Sequence, residues 1–373
     1  MGRRPSALGG IGSRAILHNQ LRCPEAMESN MESTSKINRI LTATAVMFLG
    51  VYFSPTAIAQ RPTSKGSSYG GNAPASKSVG SGIAWFGVLQ DGLDEARKTG
   101  MPILFITAAP QCNGVPGMWR PGKQDMDRGL LSDQSVIAAS RNFVCIRTAT
   151  YEDKKEAEFH RAKVFGQNSE LRNFGYCLLS PDAKTSLKRS RRGPNYIYAN
   201  AGEMAAELQK IAKRYSKKRS KKHTPALPKM KNVRLALNVA SCDGLPLVVA
   251  VGKKSDDVKA LSRKLSEVVW GEDLVGKFIY ATTSKEADLA AIDGAKFATG
   301  ILVVAPHKYG LKGKLLTKIS AGVSVKKVKQ ALLDTLGSFE RDEKDHGNHV
   351  RRGRRSGQKW ETEVPVPARQ RRR

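Results

Sequence analysis

Between residues 84 and 216, short apolar runs alternate with stretches that have helical spacing. The run 103–106, bounded by a Gly-Met-Pro signal and by Pro110, predicts a buried strand. The order helix, strand, helix, strand, helix, strand, strand, helix predicts a mixed α/β sheet closed by an antiparallel hairpin. The predicted helices are 85–96, 130–139, 152–165 and 202–215, and the predicted strands are 103–106, 142–148, 176–179 and 185–188.

The same pattern returns in the second half of the chain, with less sequence specificity. Leu247 to Val251 predicts a second central strand, opened by Leu245-Pro246. The order matches that of the first half without its leading helix, so the chain is predicted to hold two α/β domains in tandem. The predicted strands are 247–251, 277–281, 301–304 and 315–319, and the predicted helices are 256–270, 286–291 and 325–336.

The N-terminal residues have the organisation of a secretory signal peptide. Lys36 and Arg39 precede an apolar run, 40–53, and a small-residue site at Ala57-Ile58-Ala59 follows it. We assign 1–59 to the signal peptide region, so that the exported chain, periplasmic or extracellular, begins at Gln60. Residues 1–26 would be a mis-assigned start if Met27 or Met31 begins translation. The alternative is a membrane anchor, but the run is short of the ~20 apolar residues of a span.

Changes in composition divide the rest of the chain, in which no later stretch could span a bilayer. The Ser/Gly-rich residues 60–83 predict a flexible linker. We assign 84–216 to the first domain, 217–231 to a basic linker and 232–339 to the second domain. Residues 340–373 form a basic tail with few apolar residues, which predicts disorder.

The chain carries a formal net charge of +30, concentrated in three clusters at 184–192, 210–222 and 341–373. Clustered cations favour polyanions such as nucleic acid, anionic lipid headgroups or acidic wall polymers. We therefore expect an anionic polymer or an unknown protein partner, and the alternative is a solvated surface. Only Tyr215 and Trp360 lie in or beside the clusters, so no sequence-specific nucleic-acid binding is expected. The polyanion-contact candidates are Lys217, Lys218, Arg219, Lys221, Lys222, Arg351, Arg352, Arg354 and Arg355.

Cys112 follows the first central strand, in the sequence Cys-Asn-Gly-Val. A strand that delivers a cysteine to a loop just ahead of a helix presents a reactive thiol, and Arg120 and Lys123 nearby would favour the thiolate. The alternative is an incidental loop residue. Cys145 and Cys177 fall in predicted strands, where burial would make them inert.

The segment from Trp85 to Cys112 resembles the thioredoxin-like superfamily. The resemblance rests on the tryptophan, the Ala96-Arg97-Lys98 helix and the proline before the cysteine strand, and it is closest to the subgroup with those features. It covers about residues 84–215. It implies a thioredoxin-like domain there, and the repeated pattern of the second half predicts a second one, so that we expect two tandem thioredoxin-like domains, each a mixed central sheet with helices on both faces.

The departures from this family concern its chemistry. Val115 stands where the second cysteine of Cys-x-x-Cys belongs, Phe174-Gly175 lacks the family's cis-proline, and the second domain has Gly252–Ser255 at its thiol loop. Release of a mixed disulfide needs a second thiol. We therefore predict a degenerate site with at most monothiol chemistry at Cys112, the candidate catalytic residue. The alternative is a non-catalytic binding or scaffold module, and no motif indicates a metal or another cofactor.

Overall fold

Two mixed β-sheets organise the residues that the structure describes, which are 82–118, 129–216, 223–342 and 344–367. The structure is a computed structural model of the chain. The predicted signal peptide, most of the predicted linker and residues 217–222 lie outside the described residues. Among the helices in the described ranges, none is long and apolar enough to cross a bilayer.

The first sheet follows the predicted order of elements. Its elements are α1 (Leu89–Thr99), β1 (Ile103–Ala108), β2 (Gln111–Cys112), β3 (Val115–Pro116), α2 (Gln134–Ser140), β4 (Val144–Ala149), α3 (Lys154–His160), β5 (Phe174–Leu179), β6 (Ser186–Ser190) and α4 (Ala201–Tyr215). The strands of the sheet are ordered β4-β1-β5-β6. β1 is parallel to β4 and antiparallel to β5, so the predicted central strand is central.

The second sheet repeats this arrangement. Its elements are α5 (Val233–Asp243), β7 (Leu247–Val251), α6 (Ser255–Val269), β8 (Ile279–Thr283), β9 (Ile292–Asp293), β10 (Gly300–Pro306), β11 (Gly313–Ser320) and α7 (Val325–Ser338). The strands are ordered β8-β7-β10-β11-β9, and β7 is again parallel to one neighbour and antiparallel to the other. The second predicted central strand is therefore also central.

Alternation along the central strands places helices on both faces of each sheet. Leu104 and Ile106 of β1 share a core with α2 and α4, whereas Ile103 and Phe105 share a core with α1 and the turn after α3. In the second sheet, Val248 and Ala250 of β7 face α6 and α7. The other residues of the strand face α5: Leu247, Val249 and Val251. The predicted fold class, mixed sheets with helices on both faces, is confirmed.

The second sheet has a leading helix, so the prediction that it lacks one is wrong. α5 begins after Asn232, whose side-chain oxygen accepts a hydrogen bond from Leu235 N at 2.8 Å. It ends at Gly244, which takes the left-handed conformation (φ 65°) that a helix C-terminus favours. Ten of its eleven residues are buried, and a helix buried all round has no polar face to produce an amphipathic period.

Two short extended segments join the edges of the sheets. The paired residues are Phe86 with Ile146 of β4, Gly87 with Met230, and Lys229 with Tyr280 of β8. Gly87 N donates to Lys229 O at 3.1 Å, which connects the two segments. Trp85, predicted as the start of the first helix, precedes this pairing, and the helix begins at Leu89 instead. The pairing links both sheets into one compact unit.

A buried ion pair crosses from the first sheet to α5. Nη2 of Arg147, in β4, lies 2.7 Å from Oδ2 of Asp243, and the two side chains are only 1% and 9% exposed. Each charge offsets the desolvation of the other, so removal of one partner takes away this compensation.

Residues 344–367, which we call the strap, are folded. The prediction that the basic tail is disordered is therefore wrong for these residues. α8 (His346–Arg355) begins after Asp345, whose carboxylate accepts a hydrogen bond from Asn348 N at 2.8 Å. Trp360 and Val364 further along are buried. The strap has few apolar residues, but those few pack against the domains, which the composition of the tail does not reveal.

Removing one member of the buried ion pair should destabilise the protein. Arg147→Met removes the guanidinium that offsets the burial of the Asp243 carboxylate, so we expect the free energy of unfolding to fall by about 3–5 kcal/mol in urea titrations. The double variant R147M/D243L removes both buried charges and should recover most of the loss. A double variant as unstable as the single one would contradict this account.

Candidate functional site: the Cys112 hairpin and the strap

Cys112 lies in a β-hairpin, not at the entrance to a helix. Asn113 and Gly114 both have positive φ values, 53° and 84°, as a two-residue type I′ turn requires. β2 and β3 flank the turn, so Cys112 pairs directly with Val115. The prediction that a helix N-terminus follows the thiol is therefore wrong. The Asn-Gly dipeptide is a strong hairpin signal and would have indicated this turn from the sequence.

The strap covers this hairpin. Cys112 is 6% exposed and packs with Val115, Tyr309 and Val350 of α8. Gly353 lies against the hairpin so closely that a Cβ there would come within 2.4 Å of Val115 Cγ1, so the contact requires glycine. The thiol is buried beneath α8.

Polar contacts fix the strap to the backbone of the hairpin. His349 Nε2 donates to the Pro116 carbonyl oxygen at 2.8 Å, and Trp360 N donates to Gly114 O at 2.8 Å. Lys344 Nζ donates to Gly117 O at 3.0 Å and also reaches α5 at Ser241 Oγ. Burial lowers the pKa of His349, so its ring is neutral in this contact.

α8 carries two histidines, His346 and His349. The signal for their placement is their spacing with the residues that follow. His346, His349, Val350 and Gly353 stand at i, i+3, i+4 and i+7, which is one face of a helix. That face packs on the hairpin.

Trp360 anchors the strap to the first domain. Its Nε1 donates to Oε1 of the buried Glu152 at 2.7 Å, and the Arg234 guanidinium lies 3.7 Å from the centroid of its ring. Further along, Val364 N donates to Tyr151 O at 2.8 Å. Burial raises the pKa of Glu152 to about 7, although the Trp360 hydrogen bond and the Arg234 charge act in the opposite direction.

The other cysteines of the described chain are core residues. Cys145 lies in β4, Cys177 in β5 and Cys242 in α5, and no disulfide joins any of the described cysteines. Burial raises the pKa of Cys145 to about 12 and raises the pKa of Cys177 and Cys242 as well. These thiols are protonated and inaccessible at neutral pH.

Gly175 lies near the position where thioredoxin-like proteins have a cis-proline, and its surroundings are closely packed. Gly175, in β5, pairs with Thr107 at the end of β1. A Cβ on Gly175 would lie 2.5 Å from Val164 Cγ1 and would also meet Phe165. Glycine is therefore required here by the packing of the turn after α3.

His160 is a core residue. Its Nε2 lies 2.6 Å from Thr148 Oγ1, and its side chain is fully buried. Burial lowers the pKa of His160 to about 3, so the ring stays neutral at physiological pH.

The structure places four of the predicted polyanion contacts on α8. Arg351, Arg352, Arg354 and Arg355 are exposed on the side of the helix away from Cys112. The remaining candidates lie outside the described residues: Lys217, Lys218, Arg219, Lys221 and Lys222. The same is true of Arg120 and Lys123, whose predicted effect on the Cys112 thiol stays a prediction.

Comparison with known proteins assigns no family. No protein-family model matches the chain. No curated protein sequence matches it significantly either. Likeness to solved structures is low, so it assigns no activity.

Two of the similar structures are human ERp44 and ERdj5. Human ERp44 aligns with a TM-score of 0.21 and 11% identity over 68% of this chain and 56% of its own. ERdj5 form II aligns with a TM-score of 0.21 and 10% identity over 70% of this chain and 30% of its own. The chain therefore spans less than two thirds of the structures it aligns with.

Cys112 should be alkylated slowly by iodoacetamide in the folded protein, because α8 covers it. We expect deletion of 344–373 to speed alkylation of Cys112 by at least about tenfold, since local opening would no longer be needed. Mass spectrometry of each cysteine measures both rates. Continued protection of Cys145 and Cys177 serves as the control for folding. Alkylation of Cys112 in the full chain at its unfolded rate would contradict the structure.

Deprotonation of the buried Glu152 should lower the thermal stability of the protein as pH rises. Its pKa is about 7 in the folded protein and ordinarily 4.5, so its protonation stabilises the fold below pH 4.5, and this contribution is lost as pH rises through 7. Glu152→Gln should flatten the dependence of thermal stability on pH across that window. Glu158→Gln, at an exposed carboxylate of α3, makes the same charge change as a control. Equal pH profiles for E152Q and wild type would refute the assignment.

Proposed function

We propose that the chain is a binding module without thiol-disulfide exchange activity, which holds an anionic polymer or an acidic partner protein. The observation that carries the proposal is the position of α8. Its inner face buries Cys112, and its outer face exposes Arg351, Arg352, Arg354 and Arg355. One helix thus closes the thiol position and presents four cations.

Thiol exchange needs an accessible thiolate and a second thiol to resolve the mixed disulfide. Cys112 is buried, and its cross-strand neighbour is Val115. In the second sheet, β7 leads into α6 through Gly252–Lys254, and this loop has no cysteine. Monothiol chemistry at Cys112 would first require the strap to leave the hairpin.

The arginines of α8 extend from a helix that buried residues hold in place. His349, Val350 and Gly353 form its buried face. A helix that is fixed before binding loses less conformational entropy when a polymer binds.

Export is part of this proposal, on the strength of the Ala57-Ile58-Ala59 site. The partner would then be an anionic polymer or an acidic protein that is present in the periplasm or outside the cell. The proposed binding requires neither a metal nor another cofactor.

The test is binding to heparin at several salt concentrations, together with an insulin-reduction assay. We expect retention that falls log-linearly with salt and no detectable reduction of insulin. Replacing the four α8 arginines by glutamine should lower the salt slope, because fewer counterions are then released on binding.

A matched control removes four exposed cations from the second domain instead. The control changes are Lys253→Gln, Arg263→Gln, Lys326→Gln and Lys327→Gln. The control should keep more of the wild-type slope than the α8 variant. Equal salt slopes for the two variants would contradict the proposed role of α8. Insulin reduction at the rate of a dithiol protein would contradict the proposed non-catalytic function.

A further inference from the structure

Tyr196 and Arg192 form an exposed stacked pair beside the edge strand β6. Tyr196 is 46% exposed, and the Arg192 guanidinium lies 4.8 Å from its ring centroid. Tyr196 ends a single helical turn that begins at Pro194, and its N–H donates to Gly193 O at 3.2 Å. The exposed ring is therefore carried by a constrained backbone.

Exposed cations continue along the same edge. β6 pairs with β5, and no other strand in the described part of the chain pairs with its outer edge. Lys188 is held by Glu207 at 2.7 Å, and the neighbouring cations are exposed. We call the following residues the stacking patch: Lys184, Arg189, Arg191, Arg192 and Tyr196.

An aromatic ring among exposed cations matches both parts of a single-stranded nucleic acid. Binding of phosphates to protein cations releases counterions from the nucleic acid. An unpaired base of any identity can stack on an aromatic side chain. A sulfated glycan or an acidic peptide offers the charge without a planar base. A duplex keeps its bases within its own stack. The combination therefore favours a single strand over other polyanions.

We propose that the stacking patch binds single-stranded nucleic acid without sequence preference. One base stacks on Tyr196 beside the Arg192 guanidinium, and phosphates contact Lys184, Arg189 and Arg191. This inference rests on the proposed function, because both require an anionic polymer as the ligand, and it adds a second binding surface at β6 to the arginines of α8.

Neither aromatic residue that the sequence places in or beside the basic clusters belongs to the stacking patch. Trp360 lies in the tail cluster but is 4% exposed and belongs to the strap anchor. Tyr215, at the end of α4, is half-buried. Tyr196 lies beyond the end of the 184–192 cluster in sequence, and the turn at Pro194 folds it back onto Arg192.

The experiment measures fluorescence anisotropy of a labelled oligo(dT) of about 15 nucleotides, within the usual range of single-strand site sizes. The full chain and its Tyr196→Leu, Tyr196→Phe and Arg192→Gln variants are compared, with heparin binding as a parallel readout. We expect Tyr196→Leu to lower affinity for oligo(dT) by at least about fivefold and to leave heparin binding unchanged. Tyr196→Phe should keep the affinity, because the aromatic face remains.

Arg192→Gln should weaken both oligo(dT) and heparin binding, whereas Lys326→Gln, a control at an exposed lysine of α7, should change the oligo(dT) affinity less. Equal oligo(dT) binding by wild type and Y196L overturns the stacking patch, and persisting heparin binding would then leave the proposed function standing. Failure to bind either polymer overturns both. Tighter binding to polyglutamate than to oligo(dT), unaffected by Y196L, assigns the surface to acidic proteins and also overturns the inference.

Discussion

The hydrogen bond from the Trp360 indole to the buried Glu152 carboxyl is the contact on which the arrangement of the candidate site depends. It fixes the end of a highly charged segment to the first domain, with Arg234 stacked on the indole ring. Because that end is fixed, α8 lies over the β2–β3 hairpin, and its arginines face outward. Burial of a carboxyl group is costly unless it is neutral or well paired, so this anchor is sensitive to the protonation of Glu152.

The two domains are joined by more than a linker. The segments at Phe86-Gly87 and Lys229-Met230 continue the hydrogen bonding from one sheet edge to the other, which also removes two exposed edges that could pair with other chains. Arg147 and Asp243 add a buried ion pair across the same junction. The cationic surfaces at β6 and α8 are therefore carried by one compact unit.

The segment that follows the central strand differs between the two sheets. In the second domain a short loop connects β7 to α6 and contains no cysteine. In the first domain the corresponding strand is followed by a hairpin, which turns Cys112 into a cross-strand neighbour of Val115 under α8. Both copies keep the sheet and lack the arrangement that dithiol exchange requires. The proposed binding function therefore rests on the exposed arginines of α8.

The sequence by itself determined the two central strands, the order of the elements around them and the absence of a second thiol beside Cys112, because short apolar runs and their turn signals are local. It did not reveal α5, which is buried all round and so lacks an amphipathic period. The Asn113-Gly114 turn was readable from the sequence, but the cover over it was not. Only the tertiary structure decided that Trp360 is buried, that α8 closes over Cys112 and that Tyr196 meets Arg192. These contacts join residues whose local sequence is polar, and their burial depends on partners far away in the chain.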